Sequence, residues 1–294
     1  MLKFFSMLSS WRTALSTLVL SAHGHHGGSK RSAAIGAILL VAAMFVACGD
    51  DDSDFATRPS DGSSSLSSSS TKSSGSVCRS GPCKVVTDEN CFKDGRDGQT
   101  YKTVKIGDQV WMAQNLNFET DSSFCFNDSV EYCEKFGRLY TWAAVMDSAG
   151  SFSTNGRGCG NSMTGTCSPT YPVRGICPDG WHLPTQAEWN TLLTAVGGVS
   201  TAGSKLKSTS GWNDHDGESG NGTDAFSFSV LPGGFRSGYG GYELEGYYAV
   251  FWSSTEDDNA GAYAVGLGYF YGNANLAPAF KGYGYSVRCL KDDP

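Results

Sequence analysis

The chain has 294 residues, a length for one large domain or two small ones. Charged residues make up 17% and glycine fills 38 positions, where ordinary soluble domains hold about 25% and about 7%. That balance excludes helical bundles and coiled coils and favours a loop-rich fold of short strands, while a net charge of −7 excludes a nucleic-acid binder, which presents a basic face.

The N-terminal part reads as an address, not a fold. Residues 1–29 hold a semi-apolar stretch from Trp11 to Ala22 and then His23, His25 and His26. Lys30-Arg31 follow, then the apolar run Ala33 to Ala47. Its 15 residues are fewer than the about 20 a membrane span needs. A basic flank, a short apolar run and small residues at its end are the anatomy of a signal peptide. The run closes Phe45-Val46-Ala47-Cys48, which resembles the bacterial lipoprotein signal. The resemblance implies cleavage before Cys48 and acylation of its thiol, with the lipid membrane as partner; the alternative is a plain cysteine behind a membrane anchor. Each buried acyl methylene contributes about 0.8 kcal/mol, so more than one chain gives stable anchoring. The expected place is the bacterial cell envelope, lipid-anchored at the outer membrane. After Cys48 come Asp50, Asp51, Asp52 and Asp54, and residues 60–76 hold 11 serines in 17 positions. Such composition cannot bury enough surface to fold. It makes a flexible tether of about 30 Å between Cys48 and Cys78. The expected division is thus signal and extension over 1–47, tether over 48–77, and one domain over 78–294.

Within that domain, Thr100 to Ile106 alternates polar and apolar side chains and predicts a strand. Gly107-Asp108 is a turn signal, and Val110 to Ala113 reads as the returning strand. Arg138-Leu139-Tyr140 is a short apolar piece. Thr141 opens a short helix closed by Gly150. Thr185 and Glu188 have the spacing of a capping box. The stripe Ala187, Trp189, Leu192, Leu193 and Val196 then predicts a helix ended by Gly197-Gly198. Short apolar pieces follow at 226–231, 248–253, 262–267 and 283–290, parted by glycine-rich turns. Two short helices and many short antiparallel strands make an α+β class.

Nine cysteines lie in the domain, and in an exported protein most should pair. Cys125 and Cys133 flank a short polar loop, as do Cys159 and Cys167, and each couple reads as a local staple. Cys177 and Cys289 then form a long closure. Cys78, Cys83 and Cys91 leave one over. Zinc is the weaker alternative, because its cysteine pairs are usually two to four residues apart, whereas seven residues part each local couple here.

Seven motifs stand in order along the domain: Asp97-Gly98-Gln99-Thr100-Tyr101, Trp111-Met112-Ala113-Gln114-Asn115-Leu116, Gly137-Arg138-Leu139-Tyr140-Thr141-Trp142, Cys177-Pro178-Asp179-Gly180-Trp181-His182-Leu183-Pro184, Leu206-Lys207-Ser208, Trp252-Ser253-Ser254-Thr255-Glu256 and Ser286-Val287-Arg288-Cys289. Together they closely resemble the Fibrobacter succinogenes major paralogous domain family over roughly residues 90–292. The resemblance implies a surface or secreted paralogue and assigns no reaction. More distantly, His182 to Trp189 is similar to a motif of formylglycine-generating, sulfatase-modifying enzymes, which implies a C-type-lectin-like fold closed by Cys177 and Cys289.

For chemistry, the formylglycine-generating type needs a close pair of copper-binding cysteines late in the domain, and only Cys289 follows Cys177. Asp257-Asp258 could serve glycoside hydrolysis, which needs two carboxylates about 5–9.5 Å apart, or be a solvated turn. His182 reads as a packed histidine before the capped helix. Asp214, Asp216, Glu218, Asn221 and Asp224 place oxygen donors on a glycine-rich loop, a candidate calcium site or a plain solvated loop. Gly220 and Gly222 echo a calcium-binding nonapeptide. Aromatic residues crowd the last third, and aromatic faces stack on sugar rings. Tyr239 and Tyr242, within SGYGGYE, are the expected exposed pair. The leading expectation is a non-catalytic surface domain that binds polysaccharide or another envelope ligand. The alternatives are an enzyme on the formylglycine-generating scaffold and an interaction module of a surface coat.

Overall fold

The structure, a computed structural model, describes residues 90–160 and 167–293. The expected signal sequence and tether, with Cys48, Cys78 and Cys83, lie outside the described residues. The elements in chain order are β1 Cys91–Lys93, β2 Thr100–Ile106, β3 Gln109–Met112, β4 Ser123–Phe124, α1 Val130–Phe136, β5 Leu139–Tyr140, α2 Trp142–Val145, β6 Trp181–His182, α3 Gln186–Ala195 and α4 Val199–Leu206. β7 Gly233–Arg236, β8 Tyr242–Glu245, β9 Tyr248–Glu256, β10 Gly261–Gly268, β11 Ala274–Phe280 and β12 Leu290–Lys291 complete them.

The predicted hairpin forms. Ile106 stands opposite Gln109, so Gly107-Asp108 is a two-residue turn and Gly107 takes a φ of +61°. One sheet runs β1-β2-β3-β12-β6, with β12 seated between β3 and β6. A second runs β11-β10-β9-β7-β8, and β4 pairs with β5. All strand pairs are antiparallel except β7 with β9, which meet in parallel at Gly234 and Ala249. The class is therefore α+β, with mostly antiparallel strands.

The capping box of α3 is complete: Thr185 Oγ1 accepts the Glu188 amide at 3.2 Å, and Glu188 Oε2 accepts the Thr185 amide at 2.7 Å. Three expectations need correction. The described residues hold four α-helices and a short 3-10 helix, Phe126–Asp128, not two helices; α1 is only seven residues long and its Ser129 makes no side-chain cap. The helix opened by Thr141 stops at Val145. Asp147 then adopts a φ of +53°, and its carboxylate takes the amides of Ser151, Phe152 and Ser153 for a turn. The piece at 226–231 is not a strand. Ser227 and Ser229 sit in the left-handed region, which breaks extended backbone, and only an isolated bridge joins Val230 to Lys207.

The motif tryptophans form the core. Trp111, Trp142, Trp189 and Trp252 are all fully buried. Each satisfies its indole N–H: Trp142 donates to the Ser253 carbonyl at 2.9 Å and Trp252 to that of Tyr140 at 2.8 Å. Trp189 donates to Trp252 at 3.3 Å, and Trp111 to Gln109 Oε1 at 3.2 Å. A large apolar side chain contributes about 1.5–3 kcal/mol when fully buried, and a buried indole keeps that gain only when its N–H is paired.

Three disulfides are present, Cys125–Cys133, Cys159–Cys167 and Cys177–Cys289, with Cα separations of 4.9, 4.8 and 5.9 Å. These are the three couples read from the cysteine spacing.

Candidate functional site

The five oxygen donors of the 214–224 loop do not converge. His215 and Glu218 exchange backbone hydrogen bonds of 2.9 Å in both directions, and between them Asp216 and Gly217 take φ of +51° and +84°. Asp-Gly with both φ positive is the two-residue turn of a tight hairpin. It throws Asp214, Asp216 and Glu218 outward into solvent. Asn221 spends its Oδ1 on the Trp212 amide at 3.0 Å. Asp224 spends its carboxylate on Ser229, accepting the amide at 2.7 Å and the hydroxyl at 2.5 Å. Among the described residues no three Asp, Glu, His or Cys side chains gather as metal ligands.

The glycines of this loop serve packing. A Cβ on Gly220 would lie 2.1 Å from the Asn213 carbonyl oxygen, and one on Gly222 would lie 2.3 Å from that of Lys207. Gly220 lets the loop close on Asn213 and Tyr269, and Gly222 lets it fold back against the end of α4.

The hairpin tip meets an aromatic ridge. The His215 ring lies 4.7 Å from Phe270 and 5.3 Å, edge-on, from Tyr269. Tyr269 contacts Tyr247 at 5.0 Å and Phe270 at 4.8 Å, and Phe270 contacts Tyr271 at 3.7 Å. Tyr247, Phe270 and Tyr271 remain about 40% exposed, at 40%, 39% and 39%. Two turns supply these rings: the β8–β9 turn gives Tyr247, and the β10–β11 turn gives residues 269–271. The Asp214, Asp216 and Glu218 carboxylates border them.

Beneath the ridge lies Lys207, at 3% exposure. Its Nζ donates to the carbonyls of Gly220 at 2.7 Å, Tyr269 at 3.0 Å, Gly268 at 3.2 Å and Tyr271 at 3.3 Å. Burial pushes its pKa down to about 8, so the ammonium is still charged at neutral pH.

The expected tyrosine pair divides. Tyr239 stands fully in solvent. Tyr242 is structural: its hydroxyl donates to Asp128, and its ring packs 5.4 Å from Phe126.

The other candidate groups have structural occupations. Asp258 Oδ1 accepts the amides of Ala260 and Gly261, at 2.8 and 2.6 Å, and so builds the β9–β10 turn. His182 is buried between two carboxylates, Nδ1 at 2.6 Å from Asp292 and Nε2 at 3.0 Å from Glu188. Burial alone would lower its pKa, but the hydrogen bonds to Glu188 and Asp292 outweigh that and raise it. Burial likewise opposes ionisation of Glu188, yet the bonds from His182 and Thr185 hold its pKa below the usual value. Arg288 is buried and donates to Asn115 Oδ1 at 2.9 Å, to the Ser229 carbonyl at 3.0 Å and to the Phe228 carbonyl. It floors a cleft of about 760 Å³ between β2, α1 and residues 224–231.

Most large motif side chains are thus core or clasp, while the ridge rises from segments between motifs. Among the described residues no helix is long and apolar enough to cross a membrane. No curated protein and no solved structure matches the chain. Residues 104–291, well over half of it, match the Fibrobacter succinogenes major domain. Of the buried motif residues, Tyr101 lies just before that match and those from Trp111 to Cys289 fall inside it, and the chain belongs to the Fibrobacter succinogenes major domain family.

Proposed function

We propose that this is a non-catalytic envelope lipoprotein, anchored through acylated Cys48, whose domain binds a neutral polysaccharide on the aromatic ridge. The observation that carries this reading is the half-exposed cluster of Tyr247, Phe270 and Tyr271 beside His215. Apolar ring faces with polar tips suit sugar rings in water. The bordering carboxylates, and a domain of net negative charge, disfavour anionic glycans and phosphates. We further read the fold as C-type-lectin-like: the chain leaves β6, builds its second sheet, and returns as β12 beside β6, with Cys177–Cys289 closing the excursion.

The test is retention of the full-length protein on insoluble cellulose and xylan. The expected result is binding that falls about fivefold or more in Phe270→Ala and in Tyr271→Ala, since an aromatic contact is worth on the order of 1 kcal/mol or more. Tyr242→Phe should leave it unchanged. No retention on either polymer overturns the proposal.

A further inference from the structure

Two of the segments that build the ridge are distant in sequence, the hairpin that ends at Gly220 and the β10–β11 turn. One side chain bonds to both. Of the four carbonyls around Lys207 Nζ, that of Gly220 belongs to the hairpin, and those of Gly268, Tyr269 and Tyr271 belong to the turn. The Trp212 ring lies 5.0 Å away as a fifth, cation–π, neighbour. Among the described residues no carboxylate pairs with this ammonium. Carbonyl oxygens converging on a positive charge are what proteins offer to bound metal ions. Here the charge is tethered to the end of α4. The contacts, 2.7–3.3 Å, are longer than the 2.3–2.6 Å of calcium–oxygen bonds, so the cage has the dimensions of a larger monovalent cation.

We propose that Lys207 is the resident cation of the ridge: it holds the two halves together, makes the site independent of calcium, and on removal leaves a cage that takes a free ammonium or potassium ion. The geometric part stands without the polysaccharide reading; only the consequence for binding rests on it.

Hydrogen exchange on the full-length protein tests it. The reporters are the amides of Asn213, Gly222 and Tyr269, each bonded at 2.9 Å across this region to Gly246, Ser208 and Tyr247. Wild-type exchange should be the same with calcium and with chelator. Lys207→Ala should exchange about 10- to 100-fold faster at these amides, as expected when a buried hydrogen-bonded charge is lost. Ammonium or potassium chloride should slow it again, while tetramethylammonium chloride, too large for the cage, should not. Lys207→Met keeps the stem and fills the space, so it should exchange fast in every salt. It also serves if Lys207→Ala does not fold. Faster wild-type exchange in chelator, wild-type rates in both variants, or no rescue by either small cation overturns the proposal. The same preparations go onto cellulose and xylan: expected exchange without retention on either removes the polysaccharide reading and leaves the role of Lys207 standing.

Discussion

Two long stretches of this domain have neither named helix nor strand among the described residues, and they are held in opposite ways. The stretch between α2 and β6 is held covalently, by Cys159–Cys167 within it and Cys177–Cys289 at its end. Arg96 adds a hydrogen bond of 2.7 Å to the Ile176 carbonyl while lying 3.9 Å over the Phe118 ring. The stretch between α4 and β7 holds no cysteine. Two buried cations hold it, Lys207 from within the stretch and Arg288 from the segment before β12, and both bond to its backbone carbonyls. Irregular backbone needs partners for its polar groups wherever it is buried. A disulfide restrains the chain but satisfies no carbonyl, whereas a buried cation does both in one group. The difference teaches that the stretch under the ridge relies on buried cations alone, whereas the α2–β6 stretch adds disulfides to the arginine–carbonyl bonds of Arg96 and Arg174.

Four variants break or sharpen that contrast. The largest effect belongs to the long closure. Cys177→Ser with Cys289→Ser opens a 112-residue separation, and the chain-entropy relation gives about 4–5 kcal/mol lost in urea unfolding. Next comes Arg288→Met, which strands Asn115 Oδ1 and the Phe228 and Ser229 carbonyls; about 3 kcal/mol should be lost, with exchange speeding first between 224 and 231. Cys159→Ser with Cys167→Ser opens a separation of 8 and should lose about 2–3 kcal/mol, with the ridge amides unaffected. If these ridge amides loosen as much as the stapled loop, the two regions are not independent and the contrast fails.

The smallest effect is a pH dependence. His182 has a raised pKa, so its contribution is complete below its unfolded value of 6.5 and is lost as pH climbs through the raised one. Glu188 has a lowered pKa, so its contribution is complete above 4.5 and is lost as pH falls through the lowered one. The clasp is thus fully effective between pH 4.5 and 6.5. Going from pH 6 to pH 7.5, below the range in which Lys207 with its pKa of about 8 titrates, should lower Tm by about 2 °C, the low end of the shift that about 1 kcal/mol gives a domain of this size. His182→Gln should show no such slope between those values. An equal slope in both proteins would assign it to other groups.

The legible parts of the fold were those whose cause lies within a few residues. The β2–β3 hairpin follows from strict alternation around Gly107, α3 from Thr185 and Glu188, and the staples from cysteine spacing. The 214–224 loop shows the opposite case. Carboxylates among glycines are the vocabulary of calcium loops, but Asp216-Gly217 is also a hairpin turn, and the turn decides where the side chains go. Local sequence cannot separate these meanings. Nor can it show that Lys207 meets carbonyls more than 60 positions away at Gly268, Tyr269 and Tyr271. The crowd of aromatics was visible. Nothing near Tyr242 in sequence shows that Asp128, 114 positions earlier, takes its hydroxyl. The apolar run at 226–231 had the composition of a strand and lost it to left-handed serines beside Arg288.

The seat of β12 has a consequence for how the domain comes into being. Leu290 pairs with Trp111, 179 positions earlier, and with His182 on its other side. Until that segment leaves the ribosome, β3 and β6 are both raw edges, and Cys177 has no partner thiol. Nothing short of nearly the whole domain is a cooperative unit, and its keystone is the piece delivered last. Folding therefore waits for the last strand of the domain, and is slow by the rule that distant pairings raise the entropic barrier. A chain built this way stays threadable while it is being made, and locks only on arrival.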